Sequence, residues 1–207
     1  MAIASLNKFT VPLATNQSSP SQGLLMPKLK YRFRAVFENF GTSTDRVEMT
    51  KQVESISRPN VNMNPFTIDV YNSKVNLVGK PTWEPVNVSL RDDAGGNVSR
   101  LVGEQVQKQF DFVEQSSASS GIDYKFILKF EMLDGGNGNN EPKILETWEL
   151  YGALLQTVNY GEMAYTESAP ATIALTIMYD NAIQSPIGTG VGSIVARTLG
   201  TVITGVT

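Results

Sequence analysis

Alternation of apolar and polar residues with a period of two is the feature that most restricts the fold of this 207-residue chain. In Tyr31–Phe37 and Tyr124–Met132, every second side chain is apolar and those between are mostly charged. This pattern is typical of half-buried strands. The same period predicts further strands at Val47, Met49 and Val53; Ile68 and Val70; Val75, Leu77 and Val78; Val86, Val88 and Leu90; Trp148 and Leu150; and Ile173, Leu175, Ile177 and Tyr179.

Two segments depart from this pattern. In the last strand, the residues that alternate with the apolar row carry no charge, so we expect both faces of this strand to be covered. These residues are Thr172, Ala174, Thr176 and Met178. A second segment has apolar residues at helical spacing, namely Val98, Leu101, Val102, Val106, Phe110 and Val113. Asp92 and Asp93 precede it, and Gly95–Asn97 supplies a cap. The sequence therefore predicts a mainly β fold, an antiparallel β-sandwich or small barrel with one packed α-helix.

The composition excludes several classes of protein. The chain has no His and no Cys, so it cannot form a Ser-His-Asp or Cys-His nucleophile, an imidazole or thiolate metal site, or a disulfide. Its 17 basic and 20 acidic residues give a net charge of −3. That balance disfavours a nucleic-acid binder that depends on a dense basic patch.

Charge also divides the chain into three regions. Residues 28–182 hold 35 of the 37 charges and are long enough for a self-sufficient core. Residues 1–27 form an N-terminal arm whose single charge is Lys8, and residues 183–207 form a Gly/Val/Thr-rich C-terminal extension whose single charge is Arg197. The arm lacks the features of a signal peptide and the extension is too glycine-broken to span a bilayer. Uncharged ends with apolar residues suggest segments that pack on a further protein surface. The alternative is that the termini are frayed.

Possible catalytic or binding motifs are weak. Asp92–Asp93 is better explained as acids at a helix start than as a two-carboxylate site. Gly188–Gly192 lacks the strand and the Lys-Ser or Lys-Thr of a phosphate loop, and Asp134–Glu141 lacks calcium-loop spacing and reads as a hairpin connection. Ser5–Lys8 has Ser-x-x-Lys spacing in a segment expected to be mobile. The chain is therefore not expected to be an enzyme, or to hold a cofactor or a metal.

The charges within the domain are unevenly placed. Residues 28–58 hold seven basic residues against four acids, whereas residues 131–182 hold eight acids and the single base Lys143. Two interpretations stay open. The two regions neutralise each other within one fold, or they join different copies head to tail, as heterologous contacts do in rings and filaments.

Several blocks of the sequence resemble the tail tube proteins of T4-like contractile-tailed bacteriophages. They follow the expected order: Val70–Lys74, Gly79–Val86, Leu90–Asp93, the helical Val102–Phe112, Trp148–Gly152, Asn159–Gly161 and Ile173–Asn181. The resemblance covers residues 28–182 and rests on the ordered set rather than on any single block.

The resemblance implies a structural protein of the virion tail, assembled in the host cytoplasm. Six copies would form a ring, with inner sheets joined edge to edge into one barrel. Rings would stack into a hollow tube inside a contractile sheath, and genome DNA would pass through without specific binding. The implied partners are further copies of the chain and the sheath, baseplate and tail terminator proteins. No membrane anchor is expected.

The resemblance also implies roles for particular residues. In this family an extended loop contacts the next ring. Here it corresponds to Asn64–Lys80, with Asn72, Ser73 and Lys74 nearest its tip, a position that a plain hairpin turn would also explain. A lumen in which DNA slides should carry Ser, Thr, Asn and acids, because each basic contact to phosphate adds affinity. The predicted lumen acids lie opposite the apolar rows of their strands: Glu48, Glu54 and Glu131.

Two alternatives stay open. The first is the tube protein of a phage-like particle or of a type VI secretion machine, which shares the fold. The second is a carbohydrate-binding β-sandwich module. Such a module needs exposed aromatic residues and a calcium or polar site, whereas the aromatic residues here mostly fall on predicted buried positions.

Overall fold

A computed structural model describes residues 27–42, 47–135, 142–166 and 168–185. The chain divides into two units, Met1–Arg32 and Phe33–Thr207. In the first unit, Arg32 donates its N–H to the carbonyl of Leu29 (3.2 Å). Ser5–Lys8, Gly188–Gly192, residues 136–141 and nearly all of the predicted terminal arm and extension lie outside the described residues.

The described part of the second unit contains thirteen strands and three helices. In chain order they are β1 (Phe33–Glu38), α1 (Val47–Gln52), β2 (Val53–Ile56), β3 (Val61–Asn62), β4 (Phe66–Val70), β5 (Ser73–Leu77), β6 (Thr82–Trp83), β7 (Val86–Arg91), α2 (Asn97–Gln109), β8 (Phe110–Asp111), β9 (Ser116–Ser117), α3 (Gly121–Tyr124), β10 (Phe126–Leu133), β11 (Ile144–Asn159), β12 (Thr172–Met178) and β13 (Asn181–Ser185). The mainly β, antiparallel prediction is confirmed. The predicted end of the domain at residue 182 falls inside β13.

The larger strands form two antiparallel sheets that share β11. The first sheet consists of β1, β10, the N-terminal half of β11, and β13. The second sheet consists of the C-terminal half of β11, then β12, β7 and β2. Residues from both sheets and from α2 belong to one hydrophobic core, so the two sheets face each other across it.

β11 passes from one sheet to the other at Gly152. This residue has φ +66°, in the left-handed region that glycine adopts readily. An ideal Cβ at Gly152 would lie 2.1 Å from Oδ2 of Asp180. Asp180 donates its backbone N–H to the carbonyl of Tyr151 (3.0 Å) and its carboxylate pairs with Nζ of Lys125 (2.6 Å). Only a residue without a side chain therefore fits where the strand changes sheet.

The segment after β1 corrects one strand prediction. Val47, Met49 and Val53 were expected on a strand, but α1 covers Val47–Gln52 and β2 begins at Val53. Met49 is fully buried and Val53 packs against the same core. Residues four apart, such as Met49 and Val53, share a face in a strand and also lie close together on a helix. Their spacing alone therefore could not distinguish a strand from a helix.

The predicted long helix is confirmed as α2, but it ends earlier than the apolar stripe. Val98, Leu101 and Val102 are buried, whereas Phe110 is already extended and Val113 lies in an exposed turn. The carboxylate of Asp111 accepts the N–H of Val113 (2.8 Å). An Asp that bonds nearby backbone N–H groups stabilises a turn in competition with the helix.

Asp93 explains how α2 begins. Its carboxylate accepts the N–H of Val98 (3.1 Å) and the side-chain amide of Asn97 (2.8 Å). The bond from the Val98 backbone holds the pKa of Asp93 below its usual value. For Asp93 the interpretation as an acid at a helix start is confirmed.

Gln105 joins α2 to the segment after β1 and to the end of α3. This side chain is fully buried. Its Oε1 accepts the N–H of Gly41 (2.9 Å), and its Nε2 donates to the carbonyl of Tyr124 (2.7 Å). Because buried backbone groups are costly when unpaired, this amide fixes the helix against the segment that follows β1 and against the end of α3, just before β10.

Among the described residues, ion pairs connect the basic N-terminal region to the acidic C-terminal region. Arg34 pairs with Glu131 across β1 and β10 (2.5 Å), and Arg58 pairs with the buried Glu146 (3.6 Å). For these residues the expectation that the two regions neutralise each other within one fold is confirmed.

Candidate functional site

The β4–β5 hairpin exposes every one of its residues. Its register places Phe66 opposite Leu77, and Ile68 opposite Val75. These four side chains and Val70 share one apolar face, each between 42% and 49% exposed. On the other face Thr67 donates its hydroxyl to Asn76 (2.7 Å), and Asp69 pairs with Lys74 (3.3 Å). The hairpin is therefore amphipathic, and the described residues of the chain leave its apolar face about half open to solvent.

The tip of this hairpin carries the predicted contact residues. Tyr71 and Asn72 form the turn between Val70 and Ser73, and Tyr71 is fully exposed. Ser73 donates its hydroxyl to the carbonyl of Val70 (3.3 Å). The hairpin itself was predicted correctly, and the contact role of Asn72, Ser73 and Lys74 stays a prediction. Sequence reasoning missed the apolar face beside the tip, although the period of two in both strands carried the signal.

The base of the hairpin is anchored to the body of the protein. β3 pairs with β6 just below it, and Asn64 donates its amide to Oγ1 of Thr82 (2.7 Å). Trp83 in β6 lies 5.7 Å from Tyr179, ring centroid to centroid. Tyr179 is buried, and burial raises its pKa to about 12. The hairpin thus projects from a base that packs on the core.

The outward face of the second sheet is polar and nearly free of charge. β12 contributes Thr172, Ala174, Thr176 and Met178, and β7 contributes Asn87, Ser89 and Arg91. Thr176 donates its hydroxyl to Asn87 (3.1 Å). The expectation that β12 is covered on both faces is wrong for the described chain, because Ala174 is exposed and Met178 is 43% exposed.

Both edges of the second sheet are open in the described residues. β2 pairs with β7 on one side, and β11 beyond Ala153 pairs with β12 on one side, with no strand on the other side of either. An open edge presents unpaired N–H and C=O groups that invite pairing with another chain.

The predicted lumen acids do not share one surface. Glu54 is exposed on the second sheet, where Ser89 donates its hydroxyl to Oε2 (3.3 Å). Glu131 lies on the first sheet, is 8% exposed, and accepts two bonds from Arg34 (2.8 and 2.5 Å). Glu48 lies in α1, and its side chain is outside the described part of the structure. The lumen role of all three stays a prediction.

The outward face of the first sheet carries charge in paired form. Nζ of Lys129 lies 3.3 Å from Glu38 and 3.1 Å from Glu149. The hydroxyl of Tyr151 also donates to Glu149, and this bond, with Lys129, holds the pKa of Glu149 below its usual value. The two outward faces of the domain therefore differ: one is charge-paired and the other is mostly neutral.

Among the described residues, no helix is long and apolar enough to cross a membrane.

Solved structures of contractile injection systems share this fold. A chain from the PVC sheath/tube terminator in its extended state is 13% identical, with a TM-score of 0.56 over 79% of this chain and all of that one. The tube-terminating cap of the anti-feeding prophage is 15% identical, with a TM-score of 0.57 over 79% of this chain and 93% of that one. A chain from the PVC sheath–tube complex is 15% identical, with a TM-score of 0.53 over 83% of this chain and all of that one. Neither a family model nor a curated protein sequence matches the chain.

Proposed function

We propose that this chain is the repeating structural subunit of a bacteriophage tail tube, in which rings of six copies stack into a hollow conduit for DNA. The observation that carries the proposal is the second sheet, which combines two open edges with a mostly uncharged polar face. Pairing between the β2 edge of one copy and the β11 edge of the next would remove every open edge of this sheet in a closed ring.

The neutral face suits the lining of a DNA channel. Glu54 and Arg91 are the charged residues among those that β2, β7 and β12 place on it. Fixed basic groups would bind phosphate with salt-dependent affinity, whereas Thr, Ser and Asn carry no charge that attracts the phosphates. The charge-paired first sheet would then face away from the channel, toward the sheath.

The hairpin supplies the proposed contact between rings. Its apolar face is a surface that a lone chain in water leaves unfavourably exposed. A second copy in the adjacent ring would bury it, with Asn72, Ser73 and Lys74 at the leading end. The baseplate and tail terminator proteins would meet the two ends of the stack, and the chain itself would have no catalytic role.

A position at the end of the tube is the second candidate. It is favoured by the fold shared with the PVC terminator and the anti-feeding prophage cap. A tube in a phage-like particle or a type VI secretion machine would use the same surfaces without DNA. A carbohydrate-binding module would use neither the open edges nor the hairpin.

Electron microscopy of the purified chain tests these candidates. The tube subunit should form stacked rings of uniform bore, and a terminator should form single rings that do not stack. A chain that stays monomeric at high concentration would contradict both, and affinity for a sugar would then favour the carbohydrate module.

Deleting Asn72–Lys74 is expected to leave soluble rings that do not stack. The deletion removes the Asp69–Lys74 pair and the turn, and it shortens the projecting hairpin. The hairpin lies outside the hydrophobic core, so the thermal unfolding midpoint should stay close to that of the unmodified chain. Tubes of normal length from this variant would refute the contact role of the tip.

Charge reversal separates the predicted lumen acids. Glu54→Lys should make assembled tubes retain short duplex DNA, with binding that weakens as salt rises, while Glu54→Gln should not. Glu131→Lys should instead lower the stability of the subunit, because it places a lysine beside Arg34. Tubes assembled from this variant should retain no DNA. Equal DNA retention by Glu54→Lys and Glu131→Lys, measured by co-sedimentation, would contradict the assignment of the second sheet to the channel. Glu48→Lys tests the third predicted acid in the same assay.

A further inference from the structure

The open edge of β11 does not start where β10 ends, because the side chain of Gln109 lies in between. The last residue of β11 that pairs with β10 is Ala153, opposite Phe126. Two residues later, Leu155 donates its N–H to Oε1 of Gln109 (2.8 Å), and its carbonyl accepts a bond from Nε2 of Gln109 (2.9 Å). Since its N–H goes to Gln109, that group of Leu155 points away from β12, toward the edge that β10 has left.

The amide of Gln109 replaces one residue of a partner strand. A primary amide offers an N–H donor and a C=O acceptor side by side, as a peptide group does. Gln109 is the last residue of α2, a helix fixed to the core by Leu101, Val102 and Gln105. The amide is therefore held in place by the body of the protein, and the part of the edge still open among the described residues of β11 runs over residues 156–159.

We propose that Gln109 sets the register in which a second copy adds to the second sheet. It blocks the Leu155 position, so that the β2 edge of the incoming copy can pair only with residues 156–159. The inference rests on the proposed function, in which copies join through these two edges. The lengths agree, because β2 (Val53–Ile56) has four residues and so has the open part of β11.

The side-chain pattern alone does not set this register, so a block is needed. Both strands carry a register irregularity, between Val53 and Ser55 and between Leu155 and Thr157. Two successive residues are therefore exposed in each strand, and the alternation that normally specifies a register is interrupted. With Leu155 already paired to Gln109, a strand displaced toward Leu155 meets a backbone N–H that is not free.

Introduced cysteines can report this register, because the chain has no cysteine of its own. Full-length chains carrying Ser55→Cys are mixed with chains carrying Gln156→Cys, Thr157→Cys, Val158→Cys or Asn159→Cys, and the mixtures are oxidised. With Gln109 present, we expect one pair to give most of the cross-linked dimer. With Gln109→Ala, a second pair, displaced toward Leu155, should rise to a comparable yield.

Gln107→Ala is the matched control, because that amide lies in the same turn of α2 but bonds Asp111 (2.6 Å) rather than a strand edge. It should leave a single dominant pair. One dominant pair in Gln109→Ala as well would overturn the register role and leave the proposed function standing. No cross-link at any pair with Gln109 present would contradict edge pairing itself, and with it the proposed function.

A second variant covers the case in which Gln109→Ala does not fold, as judged by circular dichroism. Gln109→Asn keeps an amide but is one methylene shorter, so it cannot reach both groups of Leu155. It should broaden the cross-linking in the same way, and a single dominant pair in this variant would also overturn the inference.

Discussion

Replacing Gly152 by valine is expected to lower the free energy of unfolding by about 3–5 kcal/mol. The residue lies at φ +66°, a conformation that a β-branched side chain rarely adopts. Its Cβ would also meet Oδ2 of Asp180 at 2.1 Å. Rotating the Asp180 carboxylate aside would break its pair with Lys125 (2.6 Å) and would still leave the Cβ of Asp180 3.2 Å from the added Cβ. Urea unfolding of the purified chain measures the change.

Two controls separate the steric effect from a general glycine effect. Gly103 lies inside α2 with no atom within 4 Å of an added Cβ, so Gly103→Ala should raise stability by about 0.5–1 kcal/mol. Gly152→Ala should be destabilising in the unmodified chain and less so in a chain that already carries Asp180→Ala. Equal stability losses caused by Gly152→Ala in these two backgrounds would show that the clash with Asp180 is not the cause.

Placing lysines at both Ile68 and Val75 is expected to stop ring stacking while leaving the subunit folded. The two residues lie opposite each other in the middle of the apolar face. Each is about half exposed in the lone chain, so burial against a second copy contributes about 1 kcal/mol per residue. Lysine removes that gain and adds charge that would have to be desolvated. Sedimentation velocity and electron microscopy should show rings without tubes.

The opposite face of the same hairpin gives a control of equal charge. Thr67 and Asn76 face each other there, and lysines at both positions should leave stacking largely intact, because the apolar face is unchanged. If this control blocks stacking as completely as the Ile68 and Val75 variant, added charge rather than loss of the apolar contact is responsible. The thermal unfolding midpoint of each variant shows whether the subunit is still folded.

The sequence was sufficient for the elements whose apolar residues repeat over many positions. The strand around Phe126–Met132 and the helix around Val98–Val106 were predicted correctly. In each, the core-facing row is long enough to distinguish the strand period of two from the helical period of 3.6. α1 was missed because its six residues carry too few apolar positions to separate a helix from a strand. The shared strand β11 was recognised only around Trp148 and Leu150, since the change of sheet at Gly152 breaks the alternation.

The surfaces were harder to predict than the elements. Periodicity shows which side chains share a face, but not what covers that face. It therefore correctly placed Glu131 on the face opposite the apolar row. It did not show that Glu131 pairs with Arg34, which is 97 residues away in the sequence. It located the turn at Asn72 and Ser73 without showing that Phe66, Ile68 and Leu77 remain exposed. The edge bonds of Gln109 depend on where α2 ends, which the apolar stripe had placed too late.

The sharing of β11 between both sheets has a mechanical consequence. Its sixteen residues run without a break through the first sheet and into the second. A force that pulls on one layer is therefore transmitted to the other along covalent bonds, as well as through side-chain packing. Sliding of one layer over the other would require stretching or bending this backbone at its glycine, so the domain should resist shear as a single stiff body.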